Sequence, residues 1–276
     1  MRFLAITPVR NGAGKIERTI RSVLDQTSVA AGRDELRYLV MDGASTDATV
    51  AAATRAGEGK IEVRSEPDEG LYDALAKGLA LAERADVVFY LNAGDVLEPT
   101  AFQIVSTILG AHPNVRWLTG RATTRNSRHE IVNSQLPHPF RRRLIACGKY
   151  GTVLPVVQQE STFWRAELHT NVDFATLATT KLAGDFLLWK SFAAVTDLYV
   201  VNAILGSFTQ EAGQLSGTKG AYRAELRELR RPPSLVEHLA AFALRQLTRR
   251  RVPHRNAKRL FTYDFGSEKW LLRGGE

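Results

Sequence analysis

Along the first hundred residues, short apolar runs alternate with stretches whose apolar positions recur at helical spacing. Residues 3–7 read as a first strand, ended by Pro8; residues 36–41, 61–64 and 87–91 read as the second, third and fourth. Between them, residues 16 to about 26, 46–56 and 71–82 read as helices, and Ile16, Ile20, Val23 and Leu24 mark the inner face of the first. This βαβαβαβ alternation with short connections predicts an α/β domain with a mainly parallel central sheet flanked by helices. Beyond about residue 99 the pattern loosens. Residues 102–109 look helical, 115–119 and 160–164 strand-like, and 121–139 polar and loop-rich. A helix opens at Asp185, residues 199–208 are apolar and β-rich, and residues 222–230 and 235–247 read as helices separated by Pro232-Pro233. The expected organisation is one domain over residues 1–216 and a helical, basic C-terminal appendage over 217–276.

Charge sharpens that division. The 276 residues carry a net charge of +8, yet the first 216 hold twenty-three Lys/Arg and twenty-three Asp/Glu. From residue 217 onward fourteen Lys/Arg face six Asp/Glu, so the tail carries the whole excess. A neutral body with a basic tail points to a docking role for the tail, separate from the chemistry. No run approaches the roughly 20 apolar residues of a membrane span, and the first residues are too short an apolar run for a signal peptide. Cys147 is the single cysteine, which excludes an internal disulfide and a cysteine-based metal site and suggests a reducing cytoplasm.

Polar clusters follow each of the four strands. Asn92-Ala93-Gly94-Asp95 leaves the fourth, and a carboxylate past the C-terminal end of a central strand stands where open α/β sheets bind ligands. Asp42-Gly43-Ala44-Ser45-Thr46-Asp47 leaves the second; Ser45, Thr46 and Asp47 are explained by capping the next helix, whereas Asp42 is free to hold a nucleobase N–H. Ser65-Glu66-Pro67-Asp68-Glu69-Gly70-Leu71-Tyr72-Asp73 leaves the third. Asp73 and Lys77 are spaced as a helix ion pair, while Lys77 or Tyr72 could instead reach a diphosphate. Thr7-Pro8-Val9-Arg10-Asn11 leaves the first, with Arg10 able to face a phosphate and Asn11 a base edge. The glycines after it form neither a phosphate-binding P-loop nor a dinucleotide fingerprint: Val9 and Ile16 break the first pattern and Glu17 the second.

Taken together and in this order, these clusters resemble the family 2 glycosyltransferases of the GT-A fold, in particular the subgroup that builds bacterial surface polysaccharides such as O-antigen. Gln158-Gln159-Glu160-Ser161-Thr162-Phe163-Trp164-Arg165 resembles the family's acceptor-side segment, Ala183-Gly184-Asp185-Phe186 its catalytic-base segment, and residues 206–216 the segment that closes over the donor. The resemblance implies a Rossmann-like GT-A domain and an inverting, metal-dependent transfer from a nucleotide-diphosphate sugar. It assigns Thr7, Pro8, Arg10, Asn11 and Asp42 to the nucleotide pocket, together with Ser45, Asp47, Glu66, Tyr72, Asp73, Lys77, Asn92, Ala93 and Gly94. Asp95 becomes the ligand of Mn²⁺ or Mg²⁺, and Asp185 the general base that deprotonates the acceptor hydroxyl. Gln159, Glu160, Ser161, Trp164 and Arg165 fall on the acceptor side.

Asn92 and Gly94 stand where many relatives carry acids, Ala76 where many carry Asn, and Glu211 roughly where some carry a metal-holding His; Glu211 could supply an oxygen ligand instead. UDP is the first expectation for the donor nucleotide, with GDP and dTDP behind it, and the acceptor is a saccharide or a lipid-linked sugar. The amphipathic stretch 235–247, followed by Arg249-Arg250-Arg251, reads either as an interfacial helix on the inner face of the plasma membrane or as a helix packed on the domain. A catalytically inactive scaffold and a basic nucleic-acid-binding protein are the competing functions. The second is disfavoured because the charge is confined to the tail and no nucleic-acid module is present.

Overall fold

The computed structural model describes residues 1–210, 219–249 and 258–274. In its first half, strands β1 (Arg2–Val9), β2 (Glu35–Asp42), β3 (Glu62–Ser65) and β4 (Val87–Tyr90) alternate with helices α1 (Ile16–Leu24), α2 (Thr27–Ala30), α3 (Thr49–Gly57) and α4 (Leu71–Leu79). The second half adds β5 (Val96–Leu97), α5 (Ala101–Ala111), β6 (Trp117–Thr119), β7 (Ala122–Arg125), β8 (Ile131–Gln135), α6 (Arg142–Ala146), β9 (Thr162–Arg165), α7 (Phe174–Thr179), α8 (Gly184–Val195), β10 (Tyr199–Val201) and β11 (Gly206–Thr209). After them come α9 (Lys219–Leu229), α10 (Leu235–Arg249), β12 (Leu260–Asp264) and β13 (Lys269–Arg273).

The main sheet runs β13-β12-β10-β6-β9-β4-β1-β2-β3, and a smaller one runs β5-β11-β7-β8. β3, β2, β1 and β4 are parallel, as the alternation requires. All but the first residue of β1 is buried, because the sheet is covered on both faces. The first strand does not stop at Pro8. Pairing with β2 continues to Val9, whereas pairing with β4 ends at Ile6 and Tyr90. Proline has no N–H for the next rung on the β4 side, so it ends one ladder and spares the other.

Two parts depart from the sequence pattern. The stretch expected to be loop over 121–139 contains the β7–β8 hairpin, whose second strand is almost wholly exposed and so carries no apolar alternation. The tail expected to be helical has its two helices but ends in the β12–β13 hairpin. That hairpin joins the main sheet, with Val200 opposite Leu260. The expected boundary at 216/217 lies outside the described residues.

α8 matters most for function. Its Trp189 and Phe192 pack with Trp117 of β6 and Trp164 of β9, ring centroids 5.5–5.8 Å apart. This aromatic cluster fixes the helix on the sheet and with it the position of Asp185 in its first turn.

Candidate active site

The loops after β1 and β2 hold each other. Asn11, at φ 52°, donates its N–H to Ser45 Oγ at 2.8 Å and accepts from the Thr46 N–H at 2.9 Å. Gly12 N–H donates to Thr49 Oγ1 at 2.8 Å and Ala13 N–H to Asp47 at 3.2 Å, while Asp47 also accepts from the Thr49 N–H at 2.9 Å. Asp42 accepts from the Ser45 N–H at 3.0 Å, from Ser65 Oγ at 2.7 Å and from Ser45 Oγ. Asp42, Ser45 and Asp47 thus spend most of their hydrogen-bonding capacity on shaping the sheet edge. Thr7 is buried, its hydroxyl 2.8 Å from that of Tyr38, so it too supports the edge from within. Arg10 is exposed and makes no ion pair among the described residues.

After β3, Lys77 lies 3.2 Å from both Glu66 and Asp73 and donates to the Pro67 carbonyl at 3.1 Å. It clamps its own loop, the structural alternative for that pair. Tyr72 turns inward and its hydroxyl donates to the Leu182 carbonyl at 3.3 Å. Its ring lies where a Cβ on Gly184 would stand, 2.4 Å away, so only glycine permits this contact between the third-strand loop and the start of α8.

After β4, Gly94 adopts φ 108° and its N–H donates to Thr19 Oγ1, which donates in turn to the Asp95 carbonyl. Ala93 sits in the same turn, paired with Asp95 in a short bridge. The carboxylate of Asp95 is buried and aimed by the Thr209 N–H at 2.8 Å. Asn92 Nδ2 donates to Gln159 at 3.3 Å, and its Oδ1 is buried with no hydrogen-bond partner. Gln159 in turn donates to the Tyr90 carbonyl. Glu160 follows, buried beside Asp95; burial and the charge of Asp185 push its carboxyl up to about 7. Gly206 packs so closely beneath that a Cβ there would lie 1.9 Å from the Glu160 carbonyl oxygen. Ser161 is buried and donates to the Gly206 carbonyl at 2.9 Å.

The structure does not bring Trp164 and Arg165 to this edge. β9 runs antiparallel to β4, so it starts at the site and leaves it. Trp164 is in the aromatic core, and Arg165 donates to the Val115 and Leu109 carbonyls at the far end, opposite Val87.

Asp185 is partly buried, and desolvation raises its carboxyl to about 6, against the lowering effect of the Phe186 N–H at 2.7 Å and the Tyr222 hydroxyl at 3.4 Å. The cavity beside it is only about 10 Å³, lined by Tyr150, Gly151, Val156, Trp189 and Tyr222 among others. That is room for about one water. Sequence reasoning missed Tyr222 and its neighbour Glu225. Glu225 accepts the N–H groups of Lys181, Leu182 and Ala183 at 2.7, 2.7 and 2.6 Å, holding the turn that presents Asp185. Nothing local in α9 signals this, because the partners are backbone groups some forty residues away.

The strand ends, the buried acids and α8 therefore converge on one edge of the sheet. A family model described as glycosyl transferase family 2 matches residues 4–156. The chain belongs to that family. Its relatives include an uncharacterised glycosyltransferase of Mycobacterium tuberculosis, found in two strains, 30% identical over 165 residues. The match takes in 59% of this chain, which spans 58% of that relative's length. Among solved structures, S. aureus TarS 1–349 in complex with UDP-GlcNAc superposes with a TM-score of 0.66 at 17% identity, covering 90% of this chain and 73% of the other. Glucosyl-3-phosphoglycerate synthase from M. tuberculosis, solved with Mn²⁺, UDP and phosphoglyceric acid, gives 0.55 at 18% identity, over 84% and 80%. This family member accordingly has the GT-A glycosyltransferase fold.

Among the described residues no group of three or more His, Cys, Asp or Glu is placed to hold a metal ion. Asp95, the adjacent Glu160 and the partnerless Asn92 Oδ1 are nevertheless oxygen donors around the end of β4, and Mg²⁺ or Mn²⁺ needs only one or two carboxylates when substrate phosphates complete its shell. The donor set fits a shared ion. Glu211, the further candidate ligand, lies outside the described residues, as do Gln214, Leu215 and Ser216 of the closing segment.

Proposed function

We propose that this glycosyltransferase is an inverting enzyme that moves a sugar from a nucleotide-diphosphate donor, UDP in the first instance, to a saccharide or lipid-linked acceptor in surface-polysaccharide synthesis. The observation that carries the reading is the pair of roles open to buried acids at one sheet edge. Asp185 has its carboxyl raised toward neutrality beside a cavity of about 10 Å³, and Asp95 is oriented by a backbone N–H within reach of Glu160. Inversion is a single in-line displacement, which needs one base and stabilisation of the leaving diphosphate but no covalent nucleophile.

In this reading the loops after β1, β2 and β3 form the nucleotide pocket, with Arg10 as its exposed cation. Asp95 and Asn92, with Glu160 behind them, would hold Mn²⁺ or Mg²⁺, whose contribution is to neutralise charge on the departing diphosphate. Asp185 takes the acceptor proton on its carboxylate. Tyr222 directs its hydroxyl at the same carboxylate oxygen as the Phe186 N–H, which leaves the other oxygen to take the acceptor proton. TarS solved with UDP-GlcNAc, and the Pyrobaculum calidifontis mannosyltransferase PcManGT solved with GDP-Man and Mn²⁺ (TM-score 0.54), support a nucleotide sugar and a divalent ion while leaving the base open. A lipid-linked acceptor would bring the enzyme to a membrane face, the peripheral location that suits a basic tail.

A thermal-shift screen of UDP, GDP, dTDP and CDP with and without Mn²⁺ tests the donor reading. A metal-dependent rise for one nucleotide is expected. No shift with any of them, in folded protein, would leave the scaffold reading in its place.

A further inference from the structure

α10 is held the wrong way round for a helix packed on a core. Its inward contacts are made by Glu237, Ala241 and Leu244, while Leu235, Val236, Leu239, Phe242 and Leu247 are 43–75% exposed. At 100° per residue the five outward side chains form one continuous stripe. Polar contacts fix this orientation. Ser234 and Glu237 form a reciprocal capping box, the Ser234 N–H donating to Glu237 at 2.9 Å and the Glu237 N–H to Ser234 Oγ at 3.3 Å. Arg231 pairs with Glu237, and the buried Lys149 Nζ lies 2.9 Å from His238 Nδ1.

Beside the foot of α10 is a cleft of about 300 Å³ lined by Arg142, Arg143, Arg231, Ala146 and Ala193. Arg142 spends its guanidinium on the Ala193 and Ala194 carbonyls, and Arg231 is neutralised by Glu237. Arg143 is exposed and has no ion pair among the described residues.

We infer that α10 and this cleft form a docking surface for an anionic lipid bilayer, the apolar stripe entering the acyl boundary and Arg143 taking a headgroup phosphate at the cleft. An exposed apolar stripe beside a cleft whose Arg143 has no ion pair among the described residues supplies the apolar and the cationic part of such a surface. Lys149 precedes Tyr150 and Gly151, which line the cavity beside Asp185, so the surface is tied to the loop at the mouth of the site. The inference rests on the lipid-linked acceptor reading for its purpose and on the surface alone for its existence.

The test is flotation of the full chain with vesicles of equal parts phosphatidylglycerol and phosphatidylcholine, and with phosphatidylcholine alone. The chain should float with the anionic vesicles, less so as salt rises, and not with the neutral ones. Leu239→Glu should abolish flotation, and Arg143→Glu should weaken it by at least about five-fold. Unchanged melting midpoints and unchanged donor turnover in both variants would assign the loss to the surface. Failure of the wild type to float overturns the inference, as does undiminished flotation of both variants. So does a wild-type dimer that Leu239→Glu converts to a monomer without any vesicle binding. Donor turnover measured in parallel separates this outcome from failure of the transferase reading, which would appear as flotation without turnover.

Discussion

Replacing Asp185 by Asn should inactivate the protein and stabilise it at the same time. Burial lifts the carboxyl from its ordinary value near 3.8 to about 6. Below about pH 4 the group is protonated in folded and unfolded chains alike and costs nothing. Between about pH 4 and 6 the unfolded chain releases its proton first, so stability falls as pH rises, and above about pH 6 the penalty is constant. A shift of this size corresponds to about 3 kcal/mol, which the partial exposure of Asp185 reduces to about 1–2 kcal/mol. Asparagine has no charge to desolvate, and its amide oxygen can still accept from the Phe186 N–H and the Tyr222 hydroxyl. The variant should therefore melt about 2–4 °C higher at pH 8, with a smaller gain at pH 5. Turnover, read as released nucleotide, should drop by about 10²–10⁴. A melting gain that is equal at both pH values, or absent at pH 8, would refute the buried-charge argument. Turnover within ten-fold of wild type would remove Asp185 as the base.

Asp95→Ala should abolish the Mn²⁺-dependent part of the nucleotide thermal shift while leaving the apo melting point within a few degrees; an unaltered metal titration sinks its role as a ligand. Tyr222→Phe removes a hydroxyl that lowers the Asp185 carboxyl, so the acidic limb of the pH–rate profile should move to higher pH, and an unmoved limb would show that the hydroxyl does not act on the base. Glu225→Ala strips the acceptor from three backbone N–H groups and should destabilise the chain by about 2–3 kcal/mol, checked by urea unfolding. Gly206→Ala sets a Cβ 1.9 Å from the backbone oxygen of Glu160, so the backbone must move and turnover should fall; normal folding with normal turnover would refute the need for glycine there.

The part of the fold legible in the sequence is the part where local pattern and tertiary role coincide. β1 to β4 are buried on both faces, so their apolar runs stand out, and the helices between them carry one buried stripe each. Their order implied a parallel sheet and placed the clusters at Asn11, Asp42, Ser65 and Asp95 along one edge, which is where the structure has them. β8 was not legible because an exposed strand has no apolar period. β12 and β13 were missed because their place beside β10 depends on pairing between segments some sixty residues apart.

The same limit applies to the site. Residue types at strand ends could be read as candidates, but the sequence cannot say where a side chain spends its hydrogen bonds. Asp42 and Lys77 turn out to be engaged by their own loops, and Trp164 and Arg165 are carried off by the direction of β9. Conversely, Tyr222 and Glu225 reach Asp185 only because α9 folds back over the start of α8. By itself the sequence determined the doubly buried strands β1 to β4 with the helices between them, the family resemblance and the chemical types available at the edge. Tertiary structure alone decided which acids share one desolvated point, because desolvation and hydrogen-bond partnership depend on distance in space and not on separation along the chain.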